Sequence, residues 1–242
     1  MTHFKSTVLA LFVVFTFSNC QIQNFKKING NGKISTITRT VADYDKVLLS
    51  GSMDFILEKG TEGKITIEGE SNLLEYILTE TKDGNLIIKQ KNNYNLNSSN
   101  HKTIKITIPF QEISSVTLSG SGDVLTKNRI KTEKFASIIS GSGDVVLDII
   151  AKNTIVKVTG SGDITLKGKT IQLNASVTGS GDFNGKNLEA NNTDVKITGS
   201  GGMHIVANNS LKARVTGSGD IKYTGNPTHI DKKVTGSGRI NN

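Results

Sequence analysis

Tryptophan is absent from this 242-residue chain, and aromatic residues make up only 5% of it. Ring surfaces on which nucleobases could stack are therefore scarce, which argues against nucleic acid as a partner despite a net charge of +8. Cysteine occurs once, at Cys20, so no internal disulfide can form. The four histidines, His3, His101, His204 and His229, are scattered rather than gathered at catalytic or metal-ligand spacing. The apolar run Val8–Phe17 (VLALFVVFTF) is too short to cross a bilayer.

That run is instead the middle of an export layout, with Lys5 before it and small polar residues after it. Residues 17–20, FSNC, resemble the bacterial lipobox, in which the cysteine is acylated and becomes the new amino terminus. Phe17 and Asn19 stand where the motif usually has smaller residues. Residues 1–19 then read as a lipoprotein signal peptide, and 20–32 as the acylated Cys20 with a polar, glycine-containing tether. One acyl chain holds weakly and several hold stably, so a triacylated Cys20 would anchor the protein to the outer membrane. Gln21, Ile22 and Gln23 carry neither an inner-membrane-retention aspartate nor an acidic surface-export run, leaving periplasmic and cell-surface placements both open. Removal of residues 1–19 leaves 28 basic against 21 acidic residues, a net +7. Such a balance suits anionic headgroups or an acidic glycan, and equally a surface of solvated lysines.

Residues 33–117 show strand alternation without regular spacing. Ile65 and Ile67 alternate in KITIE, and Ile104, Ile106 and Ile108 in TIKITIP. One short helix is expected at Asn72–Leu78, where Asn72 and Glu75 make a capping signal ahead of an apolar side formed by Leu73, Leu74 and Ile77. Lys91–Lys102 reads as a loop.

From 118 to 242 one phrase recurs. TGSGD stands at 159–163, 178–182 and 216–220, SGSGD at 119–123 and 140–144, TGSGG at 198–202 and TGSGR at 235–239. The glycine pairs Gly120/Gly122, Gly141/Gly143, Gly160/Gly162, Gly179/Gly181, Gly199/Gly201, Gly217/Gly219 and Gly236/Gly238 thus recur about every nineteen residues, the period of a solenoid. Before each motif stands an apolar residue, from Leu118 and Ile139 to Val215 and Val234. After it stands another, from Val124 and Val145 to Ile221 and Ile240. Both columns are satisfied by strand, tight turn, strand. A third short strand per repeat is suggested by Ile171 and Leu173, Leu188 and Ala190, and Leu211. Taken together this is an all-β chain, a right-handed parallel β-helix of GSGD rungs with a less regular β-rich N-terminal part. An antiparallel array of hairpins is the competing fold, although hairpins would favour Asn-Gly or Asp-Gly turns at half this period. No rung can fold alone, which is why the phrase must recur.

The glycines themselves carry a structural message. No helix pattern follows any GSGD and no Lys-Ser/Thr completes a phosphate loop, so the glycines serve tight corners and close backbone approach. The motif is similar to calcium-binding nonapeptide repeats, but those close every nine residues, and no metal or cofactor is expected. Stacking would bring Asp123, Asp144, Asp163, Asp182 and Asp220 into one column, where they must fan into solvent or accept turn N–H groups. Outward Lys157, Lys196, Arg214 and Lys233 define a broken basic stripe, the candidate contact surface for an anionic glycan or surface polymer, or else a solvated face. A polysaccharide-active lyase or hydrolase is the alternative reading, and would require acids, basic groups and aromatics converging in one groove.

GNGKISTITRTVADYDKVLLSGSMDFILEKG (30–60), ITIEGESNLLEYI (65–77), KDGNLIIK (82–89) and the serial GSGD together resemble the bacterial domain of unknown function called putative auto-transporter adhesin, head GIN domain. The resemblance covers about residues 30–242. It implies an exported or lipid-anchored β-helical protein of the kind common in Bacteroidota, with no established enzymatic activity. No functional residue comes with it beyond the glycine turns. Gly202 and Arg239 depart from GSGD, as worn or capping rungs would.

Overall fold

Because every rung repeats the same inward and outward pattern, each can lie on its predecessor in parallel register, and this dictates the architecture. A computed structural model of the protein describes residues 25–99 and 102–242. The expected signal peptide at 1–19, which includes His3, and Cys20 and His101 lie outside the described residues. The N-terminal strands are β1 (Lys26–Asn29), β2 (Ile34–Thr40), β3 (Lys46–Gly51), β4 (Asp54–Lys59), β5 (Lys64–Glu70), β6 (Ile77–Lys82), β7 (Asn85–Gln90), β8 (Tyr94–Asn97) and β9 (Lys105–Phe110). The stacked strands are β10 (Ser115–Gly120), β11 (Val124–Thr126), β12 (Ile130–Gly141), β13 (Val145–Gly160), β14 (Ile164–Gly179), β15 (Phe183–Gly199), β16 (Gly202–Val206), β17 (Ser210–Gly217), β18 (Asp220–Thr224), β19 (His229–Gly236) and β20 (Arg239–Asn241). They form a parallel β-solenoid of about seven turns, with coils about 19 residues apart.

The solenoid starts earlier than the repeat suggests. β3 and β4 are joined by a corner at residues 50–54, SGSMD, and β10 lies on β3 with Val116 over Val47, Leu118 over Leu49 and Gly120 over Gly51. β11 continues the stack with Val124 over Phe55. The boundary placed at 118 therefore moves back to β3. This first corner is hidden in the sequence because Met53 replaces its second glycine and because the N-terminal strands separate it from the next corner. Beneath it, β7 and β9 pair in parallel with β3 and β4, while β2–β5, β5–β9 and β6–β7 are antiparallel. This mixed N-terminal part covers the underside of the first rung.

The core follows the two predicted columns. Leu118, Ile139, Val158, Val177, Ile197 and Val215 are buried, as are Val124, Val145, Ile164, Phe183, Met203 and Ile221. In the last rung Val234 is 40% exposed because nothing described lies over it. Of the suggested third strand, Leu173, Leu188, Ala190 and Leu211 point inward, whereas Ile171 is half exposed. A further inward column runs Val116, Ser137, Val156, Ala175, Val195 and Ala213. Lys232 takes the next place, over Ala213, and its Nζ lies 5.2 Å from the centroid of the Tyr223 ring, covering the end of the core with a charge.

Ser137 is the misfit in that column. Its side chain is fully buried and, among the described residues, its hydroxyl has no hydrogen-bond partner. Its neighbours above and below are valines, so Ser137→Val should fit and remove the desolvated hydroxyl. We expect a gain of about 1 kcal/mol, read as a rise in the midpoint of chemical denaturation; an unchanged or lower midpoint would show that the hydroxyl is satisfied in solution.

Two N-terminal expectations change. The helix at Asn72–Leu78 is only one 3-10 turn, Leu74–Tyr76, with no side-chain cap. Asn72 does not cap it, since its side chain accepts the Asn31 N–H at 3.0 Å and donates to the Asn29 carbonyl at 2.8 Å. The Arg39 guanidinium donates to the carbonyls of Leu74, at 2.8 Å, and Ile77, and Ile77 already opens β6. Residues 26–29, assigned to the tether, form β1, which pairs in parallel with β8 inside the supposed loop 91–102. Ile28 and Leu96 alternate with polar neighbours and pack against the core, which gives this two-stranded ribbon its register.

Candidate functional site

Each corner is set by two glycines, the first demanded by both backbone conformation and close approach, the second by close approach alone. The first has a positive φ, from +113° to +141° at Gly120, Gly141, Gly160, Gly179, Gly199, Gly217 and Gly236, a region that side chains disfavour. The second must be bare because a Cβ would strike the rung beneath. At Gly143, Gly162, Gly181, Gly201, Gly219 and Gly238 it would fall 1.9–2.3 Å from the carbonyl oxygen of the preceding rung's equivalent glycine. At Gly122 the same clash, 1.9 Å, is with the carbonyl of Met53. Met53 escapes the rule because no GSGD rung lies below it, and its buried side chain lines a small cavity together with Gln90, Leu96 and Ile104.

The close approach has a hydrogen-bonding return. The carbonyl of each first glycine from Gly120 to Gly217 accepts two N–H groups from the next rung, as Gly141 does from Ser161 at 2.9 Å and Gly162 at 3.0 Å. The aspartate column resolves in the same sense. Asp123 Oδ1 accepts the Asp144 N–H at 3.0 Å, Asp144 that of Asp163 at 3.2 Å, Asp163 that of Asp182 at 2.8 Å, and Asp220 that of Arg239 at 2.8 Å. Each carboxylate also remains exposed to water. The column is therefore a structural ladder in which oxygen, rather than charge, is the working feature. Gly202 interrupts it, leaving a small notch beside Asp182, Asp220 and His204.

Stacking aligns the proposed basic stripe. Thr117, Ile138, Lys157, Ser176, Lys196, Arg214 and Lys233 fall in one outward column, each over the last. Lys157, Lys196 and Lys233 are exposed and, among the described residues, take part in no ion pair. Arg214 is different. Its guanidinium is paired with Asp231, a hydrogen bond that raises its pKa and lowers that of the aspartate. Lys212 beside it binds Asp194 at 2.9 Å. Sequence spacing finds the column but not this neutralisation, which comes from residues two positions away along the strand and one rung across. On the motif side the column borders Thr159, Thr178, Thr198, Thr216 and Thr235, all exposed.

Sequence reasoning also passes over a groove of about 670 Å³ on the side of the solenoid. Ile150, Ala151 and Ile171 line it, and the cross-rung pairs Lys152–Glu133, at 2.7 Å, and Lys169–Glu189, at 2.9 Å, edge it. Its residues follow no motif. The two described histidines are not brought together: His204 sits in the notch, and His229 contacts Thr228 through its ring nitrogen. Among the described residues, no group of three or more His, Cys, Asp or Glu side chains has metal-holding geometry.

The buried ionisable groups fasten loops. Glu70 is 1% exposed and accepts hydrogen bonds from the Gly32 N–H, the Ser99 N–H at 2.8 Å and the Ser99 hydroxyl. The hydroxyl contributes most to holding its pKa below the usual glutamate value. Gly30 makes room for it, since a Cβ there would fall 1.9 Å from Glu70 Oε2. Tyr44 donates its phenol hydrogen to the Pro109 carbonyl, and burial raises its pKa well above the normal range.

The family model described as putative auto-transporter adhesin, head GIN domain, matches residues 43–227. Among solved structures, a putative adhesin from Bacteroides fragilis is 27% identical with a TM-score of 0.81, the match covering 89% of this chain and 99% of that one. A putative lipid binding protein from Parabacteroides distasonis is also 27% identical, with a TM-score of 0.75 and coverage of 89% and 99%. A putative adhesin from Parabacteroides merdae, 22% identical with a TM-score of 0.69 over 89% and 98%, shares the fold. No curated protein matches the chain.

Proposed function

The chain belongs to the family of the putative auto-transporter adhesin, head GIN domain, and from that premise we propose a non-enzymatic, adhesin-like or scaffolding lipoprotein of the cell envelope. In this reading Cys20 is acylated and holds the solenoid to the outer membrane, while the outward basic column meets an anionic glycan or surface polymer. The observation that carries the second half is the alignment of Lys157, Lys196, Arg214 and Lys233 in one column. Rungs repeat at about 4.8 Å, so a flexible polyanion can touch several charges at once, and weak contacts sum. Pairing of Arg214 with Asp231 makes Lys157, Lys196 and Lys233 the principal contributors. The polysaccharide-active alternative calls for acids, basic groups and aromatics converging in one groove; the groove of about 670 Å³ is lined by no aromatic residue, and Lys152 and Lys169 there are paired with Glu133 and Glu189.

The test is retention on an anionic polysaccharide matrix across a salt series. The variant with Lys157, Lys196, Arg214 and Lys233 all changed to Gln should elute at clearly lower salt than the parent, because exposed charges act through screened attraction. Equal elution salt would remove the basic column from the proposal. Aggregation of the variant would instead assign the lysines to keeping the β-surface from adhering to itself.

A further inference from the structure

We propose that the free end of the β1–β8 ribbon is a membrane-seating face that rests on an anionic bilayer. The proposal builds on acylation of Cys20. Phe25 is 56% exposed, more than any other large apolar side chain among the described residues. It leads into Lys26 and Lys27, and the Lys26 N–H donates to the Asn93 carbonyl at 2.8 Å, which brings the chain entry to the start of β8. There Tyr94 packs on Tyr76 with ring centroids 4.6 Å apart, and the Lys91 ammonium lies 5.4 Å from the centre of the Tyr76 ring. Amphipathic rings and lysines are the side chains that favour the water–lipid boundary; Lys26 and Lys27 are exposed and Lys91 half-buried, and the turn that carries Tyr76 holds one exposed acid, Glu75.

Chain length supplies the second argument. Phe25 follows Cys20 by five residues, which can span at most about 18 Å when fully extended. An acyl group on Cys20 therefore keeps Phe25 near the headgroups. The ribbon cannot swing freely, because Ile28 and Leu96 pack on the core and Glu70 ties Gly32 to Ser99. Orientation of the ribbon then becomes orientation of the molecule, with the N-terminal cover toward the lipid.

The absence of tryptophan and the single thiol make this directly testable. The mature chain is coupled through Cys20 to a maleimide lipid in vesicles of phosphatidylcholine and phosphatidylglycerol with brominated acyl chains. A Phe25→Trp variant should show blue-shifted, quenched emission, and a Val234→Trp variant in the last rung should not. Without coupling, Lys26→Gln, Lys27→Gln and Lys91→Gln together should weaken vesicle binding on the order of a hundredfold, at roughly fivefold per lysine. Unshifted Phe25→Trp emission on coupled vesicles, or equal quenching at both positions, would overturn the seating face. Chemical coupling makes this outcome independent of acylation in cells, which is read by incorporation of labelled palmitate into the parent and not into Cys20→Ser; no incorporation would fell the anchor alone.

Discussion

Gly179→Val should lower the thermal midpoint sharply or prevent folding altogether. Two costs coincide at this position. Its φ of +117° is one that a β-branched residue rarely adopts, and its Cβ would lie 2.4 Å from the Gly160 carbonyl oxygen. That oxygen cannot retreat, because it accepts the N–H groups of Ser180 and Gly181. A loss of about 4 kcal/mol or more is expected, equivalent to roughly 8–16 °C for a chain of this size. The two costs can be separated at the first corner. Gly51 has a similar φ, +115°, but a Cβ there would meet only the end of the Met53 side chain, at 3.3 Å. Gly51→Ala should therefore be distinctly milder than Gly179→Ala when both are followed by circular dichroism. Asp182→Asn should be nearly silent, because an amide oxygen can still accept the Gly202 N–H that Asp182 Oδ1 accepts at 2.6 Å. A Gly179→Val protein that melts with the parent would refute the stacking argument for the glycines.

Acid should open the N-terminal fastening before it affects the solenoid. The folded-state pKa of Glu70 is depressed, first by the Ser99 hydroxyl and then by the Ser99 and Gly32 N–H groups, with help from Lys102. A carboxyl of this kind contributes its full stabilisation above its unfolded value of 4.5 and loses it as pH falls through the depressed folded value. Hydrogen-exchange protection of the Gly32 and Ser99 amides should hold from neutrality to about pH 5 and collapse below it, while amides of β13 and β14 stay protected. Glu70→Gln should lose protection at those two sites at every pH, on the order of tenfold, since a neutral acceptor replaces a charged one. Protection that is independent of pH in the parent would show that the carboxylate is not what fastens the loops.

The stacked part of the fold was legible because burial imposes the same demand at every rung. Leu118 through Val215 and Val124 through Ile221 must be apolar, and their phase around GSGD leaves only a turn between two strands. The register was equally readable, so the alignment of Lys157, Lys196, Arg214 and Lys233 followed from counting. What counting missed depends on single contacts. Asn72 carries a capping signal, yet its side chain is taken by Asn31 and Asn29 across the sheet. Ile28 looks like part of a tether until Leu96 provides its partner strand. Arg214 looks free until Asp231 of the next rung reaches it. Met53 concealed the first corner because the demand for glycine comes from the rung beneath, and that rung is missing there.

Lys232 bears on how such a chain can change its length over evolutionary time. A rung added after it would lay its own apolar column over an ammonium group that now sits on Tyr223, whereas a rung duplicated between Gly120 and Gly217 would find a matching backbone above and below. Height is thus open to variation from the middle, with both ends inherited unchanged. Relatives of different height should differ by whole multiples of about nineteen residues, inserted between a first corner like that of Met53 and a strand like that of Lys232.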